Sequence, residues 1–235
     1  MKRKKKTKYV VVGCKPWSKS IFDSRISRYP GEWFFIRRQK NLTEKKLKEI
    51  SPRYIFFLHW SWKVPEKIIK NYECICFHMT DVPYGRGGTP LQNLIIRGHE
   101  KTKLTALKMT EDFDAGSVYL KKPLLLNGRA EEIYFRVNNL AADMILDIIK
   151  RKINPRQQRG KITIFKRRKP EESEIPKLKN VKKLYDFIRM LDAKGYPKAF
   201  LKYKDFIFEF SHPQLFKNEI NCKTKIKKNG KQKNK

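Results

Sequence analysis

The sequence predicts an α/β protein organised around a mostly parallel, doubly wound sheet. Four short runs carry that prediction: residues 9–13 (YVVVG), 33–36 (WFFI), 54–58 (YIFFL) and 74–77 (CICF). Each is a near-continuous apolar run, as strands covered by helices on both faces are. Between consecutive runs there is room for one helix, and this repeated strand–helix–strand unit makes neighbouring strands parallel. A chain of 235 residues, 40% hydrophobic with 15 Phe, is long enough to bury such a core.

The elements follow in order. The first strand ends at Gly13, residues 18–27 form a helix, and the Pro30–Gly31 turn leads into the second strand. Residues 43–50 read as a helix with Thr43 or Asn41 as cap and Leu47 and Ile50 on one face. Pro65 opens a helix over 66–70 ahead of the fourth strand. The alternation continues with a helix at 90–97, strands at 103–109 and 117–126, and a long helix at 130–152. Residues 9–152 thus form one Rossmann-like domain. Residues 153–180 turn Gln/Arg/Lys/Pro-rich and read as a linker crossing the surface with one short strand. A helix at 181–191 and two short strands around the Lys204–Asp205 turn predict a small C-terminal α+β appendage over 181–222. Residues 1–8 and 223–235 read as basic tails.

The formal net charge is +33. Residues 1–8 hold six Lys/Arg and 223–235 hold seven Lys; without those thirteen, 43 basic residues still face 23 acidic ones. The excess is spread along most elements and is mainly lysine, whereas a sequence-reading surface concentrates arginine and aromatics. General attraction to polyanions follows from Coulomb forces alone. The four cysteines have no zinc-site spacing, no metal site is expected, and a reducing, cytoplasmic setting is. No apolar run reaches the roughly 18–20 residues of a membrane span, and none follows MKRKKKTK at signal-peptide length, so no membrane partner is expected.

Residues 76–116 carry the chemistry. His78 follows directly on a strand's carboxyl end, where open α/β sheets bind ligands. Asp114 lies 36 residues on, in an acidic loop closed by Gly116, and the intervening helix and strand bring the two loop ends over one sheet. A histidine with pKa near 6.5 exchanges protons at neutral pH, and an adjacent carboxylate favours its protonated form. Taken singly, His78 is a strand-end histidine and Asp114 a turn former before glycine. Arg86, in YGRGG, is flanked by glycines that admit close backbone approach, and it either grips an anion or pairs with a surface acid. The Arg167–Arg168 pair reads as surface charge or a phosphate clamp.

Six ordered pieces resemble the formyltransferases that use 10-formyltetrahydrofolate. They are Cys76-Phe77-His78, Val82-Pro83, Arg86-Gly87, Thr89-Pro90-Leu91-Gln92, the loop 109–116 with Asp114-Ala115-Gly116, and the 165–172 segment FKRRKPEE. The resemblance spans about residues 9–175. It implies catalytic roles for His78, Asp114 and Cys76. It also implies a folate cleft from Trp60, Ser61, Trp62, Lys63 and Val64 with Met109, Thr110, Glu111, Asp112 and Phe113. Substrate contacts are implied for Tyr84, Gly85, Arg86, Gly87, Gly88, Thr89, Gln92 and Asn93. Formyl transfer to an amine passes through a tetrahedral oxyanion, and the family's asparagine, which helps bind the formyl oxygen, is Cys76 here. A thiol donates more weakly than an amide, and an oxyanion donor is worth roughly 10²–10³-fold in rate. Three readings stay open: Asn93 or a backbone N–H replaces the donor, Cys76 donates, or the activity has changed. A nucleophilic role for Cys76 is the remaining alternative.

The segments 187–192 and 195–200 are similar to those of amino-sugar N-formyltransferases. The resemblance therefore implies formyl transfer to a primary amine, on a nucleotide-linked amino sugar of surface-glycan biosynthesis, by a chain able to form homodimers. A methionyl-tRNA formyltransferase-like enzyme, with tRNA as partner, is the alternative, and a non-catalytic RNA-binding relative the next.

Overall fold

The structure, a computed structural model, describes residues 6–229. Part of each expected basic tail, residues 1–5 and 230–235, lies outside the described residues. Contacts divide the chain into two compact units, one of residues 6–87, 102–124 and 135–164, the other of residues 88–101, 125–134 and 165–229. The sequence predicted a break at 152, but stretches 88–101 and 125–134 pack with the C-terminal segment.

The elements are β1 (Lys8–Val12), α1 (Pro16–Ser24), β2 (Glu32–Ile36), α2 (Glu44–Ile50), β3 (Tyr54–Phe57), α3 (Glu66–Asn71) and β4 (Cys74–His78), followed by the two-residue β5 (Arg86–Gly87), α4 (Pro90–Ile96), β6 (Lys101–Lys108), β7 (Val118–Leu125) and α5 (Ala130–Arg151). After them come the short β8 (Ile164–Phe165), α6 (Val181–Leu191), β9 (Ala199–Tyr203), β10 (Phe206–Leu215) and β11 (Ile220–Lys228).

The first unit is built on a six-stranded sheet in the order β2-β1-β3-β4-β6-β7. β1 pairs parallel with both β2 and β3, and β3 parallel with β4, while β6 runs antiparallel to β4. The mostly parallel, Rossmann-like sheet is therefore present, with one reversal at β6. Val10–Val12, Ile55–Phe57 and Ile75 are buried, and Leu47 and Ile50 of α2 pack into the same core. Each such aliphatic side chain contributes ~1.5–3 kcal/mol by leaving water. Tyr9, Trp33, Tyr54 and Phe56 stack along neighbouring strands, the Tyr9 and Trp33 rings 4.6 Å apart. α1 starts two residues earlier than predicted, because Pro16 at its first position loses no hydrogen bond there. Thr43 caps α2, its hydroxyl accepting the Lys46 N–H.

The second unit holds α4, α6 and the antiparallel sheet β11-β10-β9. Asp192, 1% exposed, anchors it: its carboxylate meets Lys198, Arg129 and the His212 N–H, and although burial works against its charge, Lys198 and His212 hold it below the usual carboxylate range. Residues 223–228, read above as tail, instead form most of β11. Thr224 and Ile226 face Phe210 and Phe208 across the ladder, while Lys223, Lys225 and Lys227 alternate to the other side. The strand's period of two was masked by a lysine at every second place.

Near the carboxyl ends of β1 and β3, His59 has a left-handed φ of +49° and Asn138 at 3.2 Å from Nε2. Burial, then Lys15, pushes its pKa down to about 4. A folded pKa below the ordinary 6.5 means that the unfolded chain takes the proton first as pH falls. Stability is thus expected to drop between pH 6.5 and about 4 by on the order of 1–3 kcal/mol from this group. His59→Asn, which tolerates the positive φ, flattens that part of a melting-temperature profile; an unchanged slope would refute the assignment.

Candidate active site

Two loops of the first unit meet at the end of β4. Its last residue, His78, is 7% exposed. The ring Nδ1 lies 3.3 Å from Asp114 Oδ2 and the Nε2 lies 2.7 Å from the Gly85 carbonyl oxygen. Both ring nitrogens face oxygens, and each contact is a hydrogen bond when that nitrogen carries the proton. Asp114 Oδ2 also accepts the Gly87 N–H at 2.9 Å. One carboxylate oxygen thereby joins the strand-end histidine to the glycine-rich turn.

Asp114 sits at a left-handed φ of +54°, which asparagine and aspartate tolerate better than other side chains. Gly116 follows because an added Cβ there would run into the Lys108 carbonyl. The turn is tied down as well. Lys121 reaches both Asp81 and the Val82 carbonyl, and Lys103 reaches Asp81. Burial works against Asp81's charge, yet the two ammonium groups keep its pKa below the ordinary value. The Val82–Pro83 peptide bond is cis.

Gln158 was not singled out by the sequence. Its Oε1 accepts Arg86 Nε and Nη2 at 3.1 and 2.8 Å, and its Nε2 donates to the Asp114 and Gly116 carbonyls at 2.7 and 2.8 Å. Reciprocal backbone bonds between Arg156 and Val118 hold the segment in place. Arg86 is therefore held by an amide rather than by a surface acid. Gln158 sits in a segment read as linker, and no spacing rule marks it.

Beside this pair lies a cleft of about 80 Å³ lined by Trp62, Lys63, Val64, Glu66, Ile69, Cys76, Leu107, Met109, Thr110, Glu111, Asp112, Phe113 and Asp114. All five loop residues expected from 109–113, and three of the five from 60–64, are on its wall. Trp60 stands behind it, packed edge-on against Trp62 with centroids 4.7 Å apart, and Ser61 Oγ lies 3.4 Å from Cys14 Sγ. Cys76 is on the wall between Phe57 and Leu107 of the neighbouring strands. Burial first, and the Asp114 carboxylate next, push its thiol well above the ordinary value. At neutral pH it is S–H, which excludes a thiolate nucleophile and leaves a weak donor.

The expected substrate contacts divide. Tyr84, Gly85, Arg86 and Gly87 belong to the His78–Asp114 turn. Gly88, Thr89, Gln92 and Asn93 belong to the second unit and serve its packing. Gln92 donates to Tyr134 and to the Met190 carbonyl. Asn93 Nδ2 faces Gly88, Thr89 and Lys166 oxygens, and its Oδ1 accepts from Arg97. The reading of Asn93 as replacement oxyanion donor is thereby corrected: its amide is used by its own helix terminus.

A solved structure described as methionyl-tRNA formyltransferase from Clostridium thermocellum is 40% identical, with a TM-score of 0.89 over 94% of this chain and 99% of that one. The chain belongs to the formyltransferase family. The family model for the methionyl-tRNA formyltransferase C-terminal domain matches residues 170–227. The methionyl-tRNA formyltransferase of Thermodesulfovibrio yellowstonii is 26% identical over 153 residues, 62% of this chain and 50% of that protein. The chain spans about half the length of the first curated relatives it matches. HypX from Aquifex aeolicus in complex with tetrahydrofolic acid, at 16% identity and a TM-score of 0.71, shares the fold over 87% of this chain and 37% of that one. No helix among the described residues is long and apolar enough to cross a membrane.

Replacing Gln158 with Ala removes four hydrogen bonds, two from a charged group. It is expected to destabilise the chain by about 1–3 kcal/mol and to speed hydrogen exchange at residues 110–116. Exchange unchanged in that loop would show that Gln158 does not hold it.

Proposed function

We propose that the chain transfers a formyl group from 10-formyltetrahydrofolate to a primary amine, and that the amine is carried by an aminoacyl-tRNA. The observation that carries the reaction is the His78–Asp114 pair at the edge of a cleft whose walls are the two loops expected to take folate.

The cleft suits a pterin chemically. Val64, Ile69, Leu107 and Met109 give it apolar walls, and loop 109–116 lies outside helix and strand, so its peptide groups can meet the ring's amide and amino edges. At about 80 Å³ it is smaller than the roughly 300–1,000 Å³ of ligand sites. Trp62 and Phe113, 42% and 73% exposed, are the wall residues free to part. Bound there, the folate supplies the activated formyl carbon. His78 accepts the amine's proton at Nε2 after releasing the Gly85 carbonyl, and Asp114 keeps Nδ1–H and so fixes the ring's orientation. Gly85 and Gly87, at φ of +74° and +99°, give the turn the freedom this release requires. The Cys76 S–H contributes one weak bond to the developing oxyanion.

An RNA-borne amine is favoured by the charge of +33 and by the C-terminal sheet, whose exposed Tyr203, Phe206 and Ile226 stand among lysines. Aromatic faces beside lysines stack bases and neutralise phosphates. A nucleotide-linked amino sugar is the second reading, resting on the resemblance at 187–200.

5-Formyltetrahydrofolate is expected to raise the melting temperature; no shift at millimolar ligand would sink the reading. His78→Ala lowers turnover by ~10²–10⁴-fold with folding intact. Cys76→Asn, by restoring an amide donor, raises turnover by ~10-fold or more. Turnover on methionyl-tRNA that falls when Lys223, Lys225 and Lys227 are neutralised supports RNA as carrier, whereas turnover confined to nucleotide amino sugars would replace it.

A further inference from the structure

The second unit contains a larger cavity, about 570 Å³, that shares no residue with the catalytic cleft. Its apolar lining comes from the buried Ile95 and Phe187 with the half-buried Leu178, which serve as its floor, and from the exposed Pro176. Its mouth opens where α4 ends: Gly98 has φ +81° and nothing within 4 Å of an added Cβ. Most charged groups on its wall are already matched. Arg189 pairs with Asp186 and donates to the Leu126 and Gly128 carbonyls. Lys182 also pairs with Asp186, and Arg97 donates to Asn93.

Two cations are not matched. The Arg168 guanidinium reaches only the Glu172 carbonyl and the Phe187 ring, 5.6 Å from its centroid, and no described carboxylate pairs with it. Burial depresses its pKa, and the Glu172 carboxylate, which forms no ion pair with it, offsets that only in part. Lys183 likewise has no acidic partner among the described residues. It stands in the first turn of the 11-residue α6, whose N-terminal end adds partial positive charge. Glu100 and Asp186 are the only acidic residues on the wall, and Asp186 is shared by Arg189 and Lys182.

We propose that this cavity is a second, non-catalytic site for a small phosphorylated ligand of mononucleotide size, its phosphate held between Arg168 and Lys183 and its flat apolar part laid on the Ile95–Leu178–Phe187 floor. A guanidinium and an ammonium lining one cavity match a phosphate. The volume falls within the range of small-molecule sites, and a bare inorganic ion would leave the floor unused. The site stands apart from formyl transfer, so its test needs no turnover.

Titration calorimetry on the full chain with AMP, adenosine and inorganic phosphate decides the matter. Saturable, salt-sensitive AMP binding is expected, with adenosine and phosphate each at least about tenfold weaker. Arg168→Gln with Lys183→Gln should weaken AMP by about tenfold or more, while Lys225→Gln with Lys227→Gln, on the C-terminal sheet, should not. The proposal is overturned by any of four results: no saturable AMP binding at millimolar concentration, phosphate as tight as AMP, binding that survives the first double substitution, or binding lost equally in both. The last would mark a general polyanion surface. Leu178→Trp, which fills the floor without touching charge, should block AMP and leave the melting temperature nearly unchanged.

Discussion

One carboxylate oxygen ties together the candidate site of the first unit. Asp114 Oδ2 receives the Gly87 N–H and faces His78 Nδ1, so a strand end, a glycine-rich turn and an acidic loop converge on one atom. That convergence needs Asp114 in a left-handed conformation, which costs free energy for a non-glycine residue and survives only where neighbours over-determine it. They do so here: Gly116 lies flush on the Lys108 carbonyl, and Gln158 fastens the carbonyls of Asp114 and Gly116 from the other side. The antiparallel turn of β6 sets the loop's starting point, since the register puts His78 opposite Thr105 and Cys76 opposite Leu107. The acidic loop therefore starts beside Cys74, at the amino end of β4, and runs back along the strand to reach His78.

The two units use charge in opposite ways. Around His78, three cations that reach the turn are matched: Lys121 and Lys103 to Asp81, Arg86 to Gln158. Fixed partners there preserve geometry, which proton transfer depends on. In the second unit, Asp192 and Asp186 take four cations between them, and the lysines of β11 stay on the surface. Charge left over after such matching is what anions meet first, and it sits on the C-terminal sheet and at Arg168 and Lys183.

The parts of the fold legible in the sequence were those where burial dominates. The near-continuous apolar runs of β1 to β4 admit few other readings, and the proline and glycine boundaries located α3 and α4 closely. β11 was hidden because its outward face is lysine at every second place, so composition outweighed alternation. The unit boundary was hidden for another reason. Residues 88–101 and 125–134 follow the pattern of the main sheet but spend their contacts on α6 and its neighbours, which no local pattern reveals. At the site, the approach of His78 to Asp114 was legible from residue type and order, and the cleft wall at 109–113 from the resemblance. Gln158 was not, because an amide in a polar loop gains its role only from the backbone carbonyls opposite it.

Cys76 shows how the same position can keep a site's shape while changing its strength. An asparagine there would present an amide N–H, whereas the thiol presents a weaker S–H from the same strand register. Burial and the Asp114 carboxylate keep that proton on sulfur, so the residue neither adds negative charge beside a developing oxyanion nor competes with His78 for a proton. A thiolate at this position would do both. The electrostatics that make Cys76 a poor nucleophile are therefore compatible with the donor's place the proposed reaction gives it, and in that reaction the remaining oxyanion stabilisation would fall to His78 once its ring has taken the amine's proton.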